Sequence, residues 1–171
     1  MSAPELSRMI RTRPLPGETV VIEASESERA ALAERFSLSS VESLRAEIEL
    51  SDKGKAIRAT GHLDAEVMQA CAISAEDFPV TVDENIDLRF VPAGSPGAEE
   101  EIELEADDCD EIEYSGDSFD LGEAVAQTLG LAIDPYAEGP NADAAREKAG
   151  IKGDDAPSGP LAEALSKIMK N

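Results

Sequence analysis

Leu44-Arg-Ala-Glu-Ile-Glu-Leu50-Ser-Asp-Lys-Gly-Lys-Ala-Ile57-Arg-Ala-Thr-Gly-His-Leu-Asp-Ala-Glu-Val67 alternates apolar and polar residues on both sides of a short Lys-Gly-Lys break. Period two is the signature of a strand with one face buried. Before the break the even positions are apolar. After it the apolar set is Ile57, Ala59, Gly61, Leu63, Ala65 and Val67, with Arg58, Thr60, His62, Asp64 and Glu66 opposite. A two-residue turn at Lys53-Gly54 would place Leu50 against Ile57, Ile48 against Ala59, Leu44 against Leu63 and Arg45 against His62. The same register sets Glu49 across from Arg58, a pair worth about 0.2–1 kcal/mol. A one-residue slip would turn every apolar side chain to solvent.

The alternation continues outward from this hairpin. Phe78, Val80, Val82, Ile86, Leu88 and Phe90 share one face of a further strand, and only Glu84 breaks their phase, where a bulge or strand end is expected. Shorter strands are expected at Thr19–Ala24, Glu101–Glu105 and Glu111–Tyr114. Strands as long as the central ones bend or coil. The expected architecture is α+β: a curved antiparallel sheet or partly closed barrel with two packed helices. Ser25-Glu-Ser-Glu28 reads as a capping box opening one helix to about Phe36. Asp120-Leu-Gly-Glu123 opens the other, with Leu121, Val125, Leu129 and Ile133 at i+4 spacing before Asp134-Pro135 ends it. The domain is drawn at residues 1–135, with an acidic insertion at about 92–117. Residues 136–171 read as a flexible polar tail, with a helical turn through Ala142–Ala149 and a short amphipathic final helix carrying Leu161, Leu165, Ile168 and Met169. That last stripe suits docking on the parent domain or on a partner.

Charge narrows the partners. The chain of 171 residues holds 37 Asp plus Glu against 15 Lys plus Arg, a formal charge of -22. No Lys or Arg lies between Phe90 and Arg146, and carboxylates crowd Glu99 to Asp117. Nucleic-acid binding draws on clustered cations that release condensed counterions, and a body this negative repels RNA at long range. Contact with RNA must then run through a local basic patch, a basic protein or bridging metal ions. No run approaches the length of a membrane span, and the N-terminus lacks a signal peptide's apolar core. With Cys71 and Cys109 alone there is no disulfide framework, so a reduced cytoplasmic setting is expected.

The residues offer little chemistry. His62, the single histidine, falls on a polar strand face, and nothing in its local spacing supplies an orienting acid or a nucleophile. Two isolated cysteines and one distant histidine fall short of a structural zinc set. Cys71 continues an inward phase and reads as a small buried hydrophobe. The acidic run contains no calcium-loop pattern; it suits solvated charge, a docking surface for a basic protein, or a carboxylate site. Neither catalytic residues nor a metal or cofactor is assigned. Cations are the scarcer commodity: Arg8, Arg11 and Arg13 lie near the N-terminus, and Arg45, Lys53, Lys55, Arg58 and His62 gather on one face and the tip of the hairpin. They would form either a modest positive contact patch or charge balance between neighbouring strands.

Four stretches stand out in order: Glu5-Leu-Ser-Arg8 with the short basic segment after it; Val67-Met-Gln-Ala-Cys71-Ala-Ile-Ser-Ala-Glu76; Leu88-Arg-Phe90 leading into the acidic insertion; and Phe119-Asp120-Leu121 through Pro135. Together they resemble the YceD family, the large ribosomal RNA subunit accumulation proteins. The resemblance spans about residues 5–136. Many relatives carry Cys-x-x-Cys at the turn, whereas here Ser74 stands at the second position, as in alphaproteobacterial members, so no metal site is carried over. The resemblance implies a factor for accumulation or processing of 23S ribosomal RNA. Its partner would be a basic ribosomal protein or a pre-50S particle, with local rRNA contact and neither membrane nor DNA. The alternatives are a metal-dependent carboxylate nuclease acting on precursor rRNA and a general acidic chaperone.

Overall fold

The computed structural model describes residues 3–94, 110–150 and 159–168. The elements run β1 (Met9–Arg11), β2 (Val20–Glu23), α1 (Glu26–Arg35), β3 (Ser40–Asp52), β4 (Ile57–Ala70), β5 (Asp77–Pro92), β6 (Asp110–Tyr114), β7 (Ser118–Asp120), α2 (Leu121–Ala132), α3 (Ala142–Ala149) and α4 (Pro160–Ile168). The expected strand at Glu101–Glu105, Cys109 and Met169 lie outside the described residues.

The fold is α+β, built on an open, curved five-stranded sheet in the order β2-β3-β4-β5-β6. Its three central strands are 13, 14 and 16 residues long. All neighbours are antiparallel except β5 and β6, which pair in parallel, Leu88 opposite Asp110 and Pro92 opposite Tyr114. The expectation of a wholly antiparallel sheet is corrected at that edge, because the chain returns through the acidic insertion before adding β6. A second, two-stranded sheet joins β1 to β7.

The hairpin forms with the expected faces but a different register. Asp52 pairs with Ile57, Leu50 with Ala59, Ile48 with Gly61, Ala46 with Leu63 and Leu44 with Ala65. The Lys53-Gly54 two-residue turn is corrected to a four-residue loop. Lys53 N–H donates to Ala56 O at 2.8 Å, Gly54 N–H to Asp52 Oδ1 at 2.8 Å, and Gly54 takes a φ of +84°. The shift is two residues, an even number, so the apolar phase survives and every cross-strand pair changes. Arg58 faces Ser51 rather than Glu49, and His62 faces Glu47 rather than Arg45. A bulge lies at Val41/Ser43 in β3; the β4–β5 ladder runs without interruption past Glu84. Glu84 reaches solvent beside Thr128, Leu131 and Ala132, where α2 ends and the inner face opens.

The inner face of the sheet is covered. Ile48, Ala59, Leu63 and Phe90 are at most 1% exposed, as are Leu32 of α1 and Leu121, Val125 and Leu129 of α2. Phe90 stacks on Phe119 with ring centroids 4.2 Å apart. Both caps form: Ser25 and Glu28 make the reciprocal capping box, and Asp120 accepts from Glu123 N–H at 3.1 Å. Beyond α2, Ala72 N–H donates to Ala137 O, Asn141 Nδ2 to Glu76, and Ala142 is buried, so part of the stretch read as flexible is fastened to the β4–β5 turn. The helical turn expected at Ala142–Ala149 is α3. In α4, Leu161, Leu165 and Ile168 are exposed.

Candidate functional site

The uncovered sheet face carries the charges, and cross-strand geometry decides which remain available. Arg45 holds Glu23 and Glu47, each at 2.6 Å. Arg58 grips Asp87 with two nitrogens, Nε at 2.9 Å and Nη2 at 2.7 Å. Arg89 meets Glu111 at 2.9 Å. These three guanidiniums are spent on charge balance between neighbouring strands, an outcome the sequence left open for Arg45 and Arg58.

Arg8 serves the scaffold. Its guanidinium binds both Glu28 oxygens, at 2.6 and 3.0 Å, and donates to Ser7 O and Glu23 O. That pairing holds the Glu28 carboxyl down at about 2, with the Ser25 hydrogen bonds adding to it. Asp120 completes the same node: Oδ1 accepts from Arg8 N–H at 2.8 Å and Oδ2 from the Ser7 hydroxyl at 2.7 Å, while Leu121 N–H donates to Arg8 O. A Cβ on Gly122 would lie 2.6 Å from Arg8 N, so glycine is what permits this approach. Glu5-Leu-Ser-Arg8 and Asp120-Leu-Gly122 are therefore partners in space. Pro135 follows α2, where Asp134 O accepts from the buried Gln69 side chain.

Two of the remaining predicted cations, Arg13 and Lys55, meet at one depression. Among the described residues Arg11, Arg13, Lys53 and Lys55 enter no ion pair. All four are exposed, and Arg13 and Lys55 line one depression of about 310 Å³ at the hairpin tip, with Thr12, Asp52, Pro92 and Tyr114. Thr12 and Arg13 lie beside the hairpin tip, lining that depression with Gly54, Lys55 and Ala56, while Thr12 N–H donates to Asp117 O and β1 is stitched to β7. Of the eight residues expected in a positive patch, Arg13 and Lys55 line one depression, and Arg8, Arg45 and Arg58 are held by carboxylates.

His62 has a setting its sequence neighbourhood did not signal. Nε2 lies 2.8 Å from Asp83 and 3.4 Å from Asp64, and Nδ1 lies 3.3 Å from Asn85 Oδ1. The Asn85 contact first, and then the charges of Asp83 and Asp64, raise its pKa above the ordinary histidine value. The expectation that local spacing supplies no orienting acid is corrected: Asp64, two residues on, lies 3.4 Å away, and Asp83 and Asn85 come from β5, brought in only by the β4–β5 register. Cys71 is buried as expected. Its Sγ accepts from the Ile73 and Ser74 N–H groups at 3.4 Å, and the Ser74 side chain leads the interactions that lower the thiol to about 7.

Fold and surface define a class: an anionic α+β domain with one face covered by helices and the other an open field of paired charges, with cations at one tip that enter no ion pair among the described residues. The family model described as "Large ribosomal RNA subunit accumulation protein YceD" matches residues 59–164, and the chain belongs to that family. The match runs from within β4 into α4, so the N-terminal Glu5-Leu-Ser-Arg8 stretch lies outside it. No curated protein and no solved structure matches the chain. Among the described residues no helix is long and apolar enough to cross a membrane.

Proposed function

We propose that this protein is a non-catalytic ribosome-biogenesis factor, needed for 23S rRNA to accumulate or be processed, and that it acts by binding a basic ribosomal protein or a pre-50S particle in the cytoplasm. Membership of the YceD family, over residues 59–164, carries the assignment to large-subunit RNA. The choice of a basic protein as primary contact rests on charge. With -22 formal charges and most sheet-face arginines held by carboxylates, the exterior attracts cations and repels a phosphate backbone.

The depression between Arg13 and Lys55 supports a secondary, local rRNA contact in which those two side chains and Lys53 and Arg11 meet phosphates. The fastened node of Arg8 and Asp120 belongs to the scaffold of residues 1–135, and α4, in the tail of residues 136–171, offers its exposed apolar stripe to a partner.

The test is affinity purification of the tagged full chain from a lysate, with and without nuclease, followed by identification of cross-linked neighbours and sedimentation against ribosomal precursors. Basic large-subunit proteins retained after nuclease treatment support direct protein binding. Loss of every partner on nuclease treatment overturns it. Cleavage of precursor rRNA by purified protein with magnesium, above a protein-free blank, would instead make the chain an enzyme.

A further inference from the structure

Asp64 and Asp83 are direct partners across the β4–β5 ladder, both on the open face. Like charges so placed repel. The natural counter-charge is Arg45, which faces Asp64 from β3, yet its guanidinium is turned to Glu23 and Glu47. Among the described residues the only basic side chain on either aspartate is His62. Its ring is aimed between them by Asn85, its own ladder partner, through Nδ1. One imidazole nitrogen and two carboxylate oxygens thus converge, all within 4.8 Å of one another.

We propose that His62 Nε2, Asp64 and Asp83 form a surface site for a divalent first-row transition cation, with Zn2+ as the probe. Ligands on a tetrahedral zinc, at bonds of about 2.0–2.2 Å, stand about 3.4 Å apart. The separations of Nε2 from the two aspartate oxygens, 2.8 and 3.4 Å, are close to that before any adjustment. Two carboxylates and a neutral imidazole balance a doubly charged ion and remove the repulsion between Asp64 and Asp83. The imidazole favours zinc, nickel or copper over magnesium and calcium, which take oxygen donors. Asn85 on Nδ1 fills the outer-shell role that orients a metal-binding histidine. All three ligands rise from the two central, longest-paired strands, so their spacing is held by the ladder and not by a loop. The solvent exposure of Asp64 and Asp83 leaves the remaining coordination positions to water. The site stands on the β4–β5 register alone and does not depend on which ribosomal partner the protein binds.

Because histidine occurs once in the chain, the imidazole nitrogens of the isotope-labelled full-length protein report this site and no other. Zn2+ titration in a background of excess Mg2+, which occupies diffuse carboxylate binding, should give a saturable one-to-one response centred on Nε2. Asp83→Asn should weaken that response at least about tenfold, as removal of a group from a metal's shells does, while Glu66→Gln, further along β4, should leave it unchanged. Zn2+ should also raise the unfolding midpoint of the wild type more than that of Asp83→Asn at the same concentration. A silent Nε2, suppression of the response by Mg2+, or equal Zn2+ affinity in wild type and Asp83→Asn would each overturn the assignment.

Discussion

The two faces of the central sheet are built from the same strands in alternate phase, and different physics governs them. On the covered face, Ile48, Ala59, Leu63 and Phe90 lie against α1, α2 and Phe119 and are at most 1% exposed. Their identity follows from burial: each must be apolar, and its partner across the strand matters less than its phase. On the open face, Arg45, Glu47, His62 and Asp83 are solvated, and what each does depends on which residue the register sets beside it. A two-residue error in register leaves the first face intact and rewrites the second.

Exchanging character between the faces tests that contrast most severely. Leu63→Asp should abolish folding, since an unpaired carboxylate in the covered layer costs several kcal/mol against a total of about 5–15 kcal/mol. Glu47→Ala, the very next residue after Ala46, which faces Leu63, but on the opposite face, should change stability by less than about 0.5 kcal/mol. Urea unfolding followed by circular dichroism separates them. Equal tolerance at both positions would remove the distinction.

Gly61 marks where β3 and β4 approach most tightly among the glycine positions. A Cβ there would lie 1.9 Å from the Glu47 carbonyl oxygen, so Gly61→Ala must push β3 and β4 apart at the centre of the ladder. The expected cost is at the upper end of overpacking penalties, about 3 kcal/mol, read as a lowered thermal midpoint. A midpoint within error of wild type would mean the strands can part cheaply there. The cap residue comes next. Asp120→Ala loses the α2 cap and the tether on Ser7 and Arg8, about 2 kcal/mol by capping measurements. Amide exchange at Arg8 should accelerate in the same variant, and unchanged protection would detach the N-terminal segment from this node.

What was legible follows the same division. The phase of Leu44–Val67 and Phe78–Phe90, the capping box at Ser25 and the i+4 stripe of α2 were readable because burial imposes a period on the sequence. The parallel placement of β6 was not, since a strand's pattern does not encode the direction of its neighbour. Nor was the register. Lys53-Gly54 supplies turn chemistry, but four residues, Lys53–Ala56, close the loop, and a shift of two leaves no trace in the hydrophobic pattern. The gathering of Asp83 and Asn85 around His62 was hidden for that reason, because it exists only after β4 and β5 are paired. Arg8 looked like a surface cation because its partner Glu28 was already accounted for by the capping box.

A smaller effect sharpens the open face itself. Reversing Arg13, Lys53 and Lys55 to Glu should leave the unfolding midpoint near wild type, because these exposed side chains hold no ion pair among the described residues. Reversing Arg58 would instead set a carboxylate against Asp87. If the hairpin tip meets phosphates, the triple variant should bind precursor particles more weakly and with a shallower salt dependence. Sedimentation at two salt concentrations reads this, and unchanged co-sedimentation would remove the tip as a contact.

The smallest effect falls at the rim joining the two faces, where Arg8 clamps Glu28. The Glu28 carboxyl has its pKa lowered from 4.5 to about 2 in the folded chain, chiefly by the hydrogen-bonded guanidinium. A depressed folded-state pKa means the unfolded chain takes up the proton first, so the contribution is complete above pH 4.5 and drains away as pH falls toward 2. Glu28→Gln keeps an amide able to accept from Ser25 N–H but removes the charge facing Arg8. Its unfolding free energy should lie below wild type by about 1 kcal/mol or less at pH 6, as for a partly exposed pair. That gap should close as the pH drops below 4.5. A gap that stays constant down to acid unfolding would show that geometry at the cap, and not the Arg8 charge, holds this corner together.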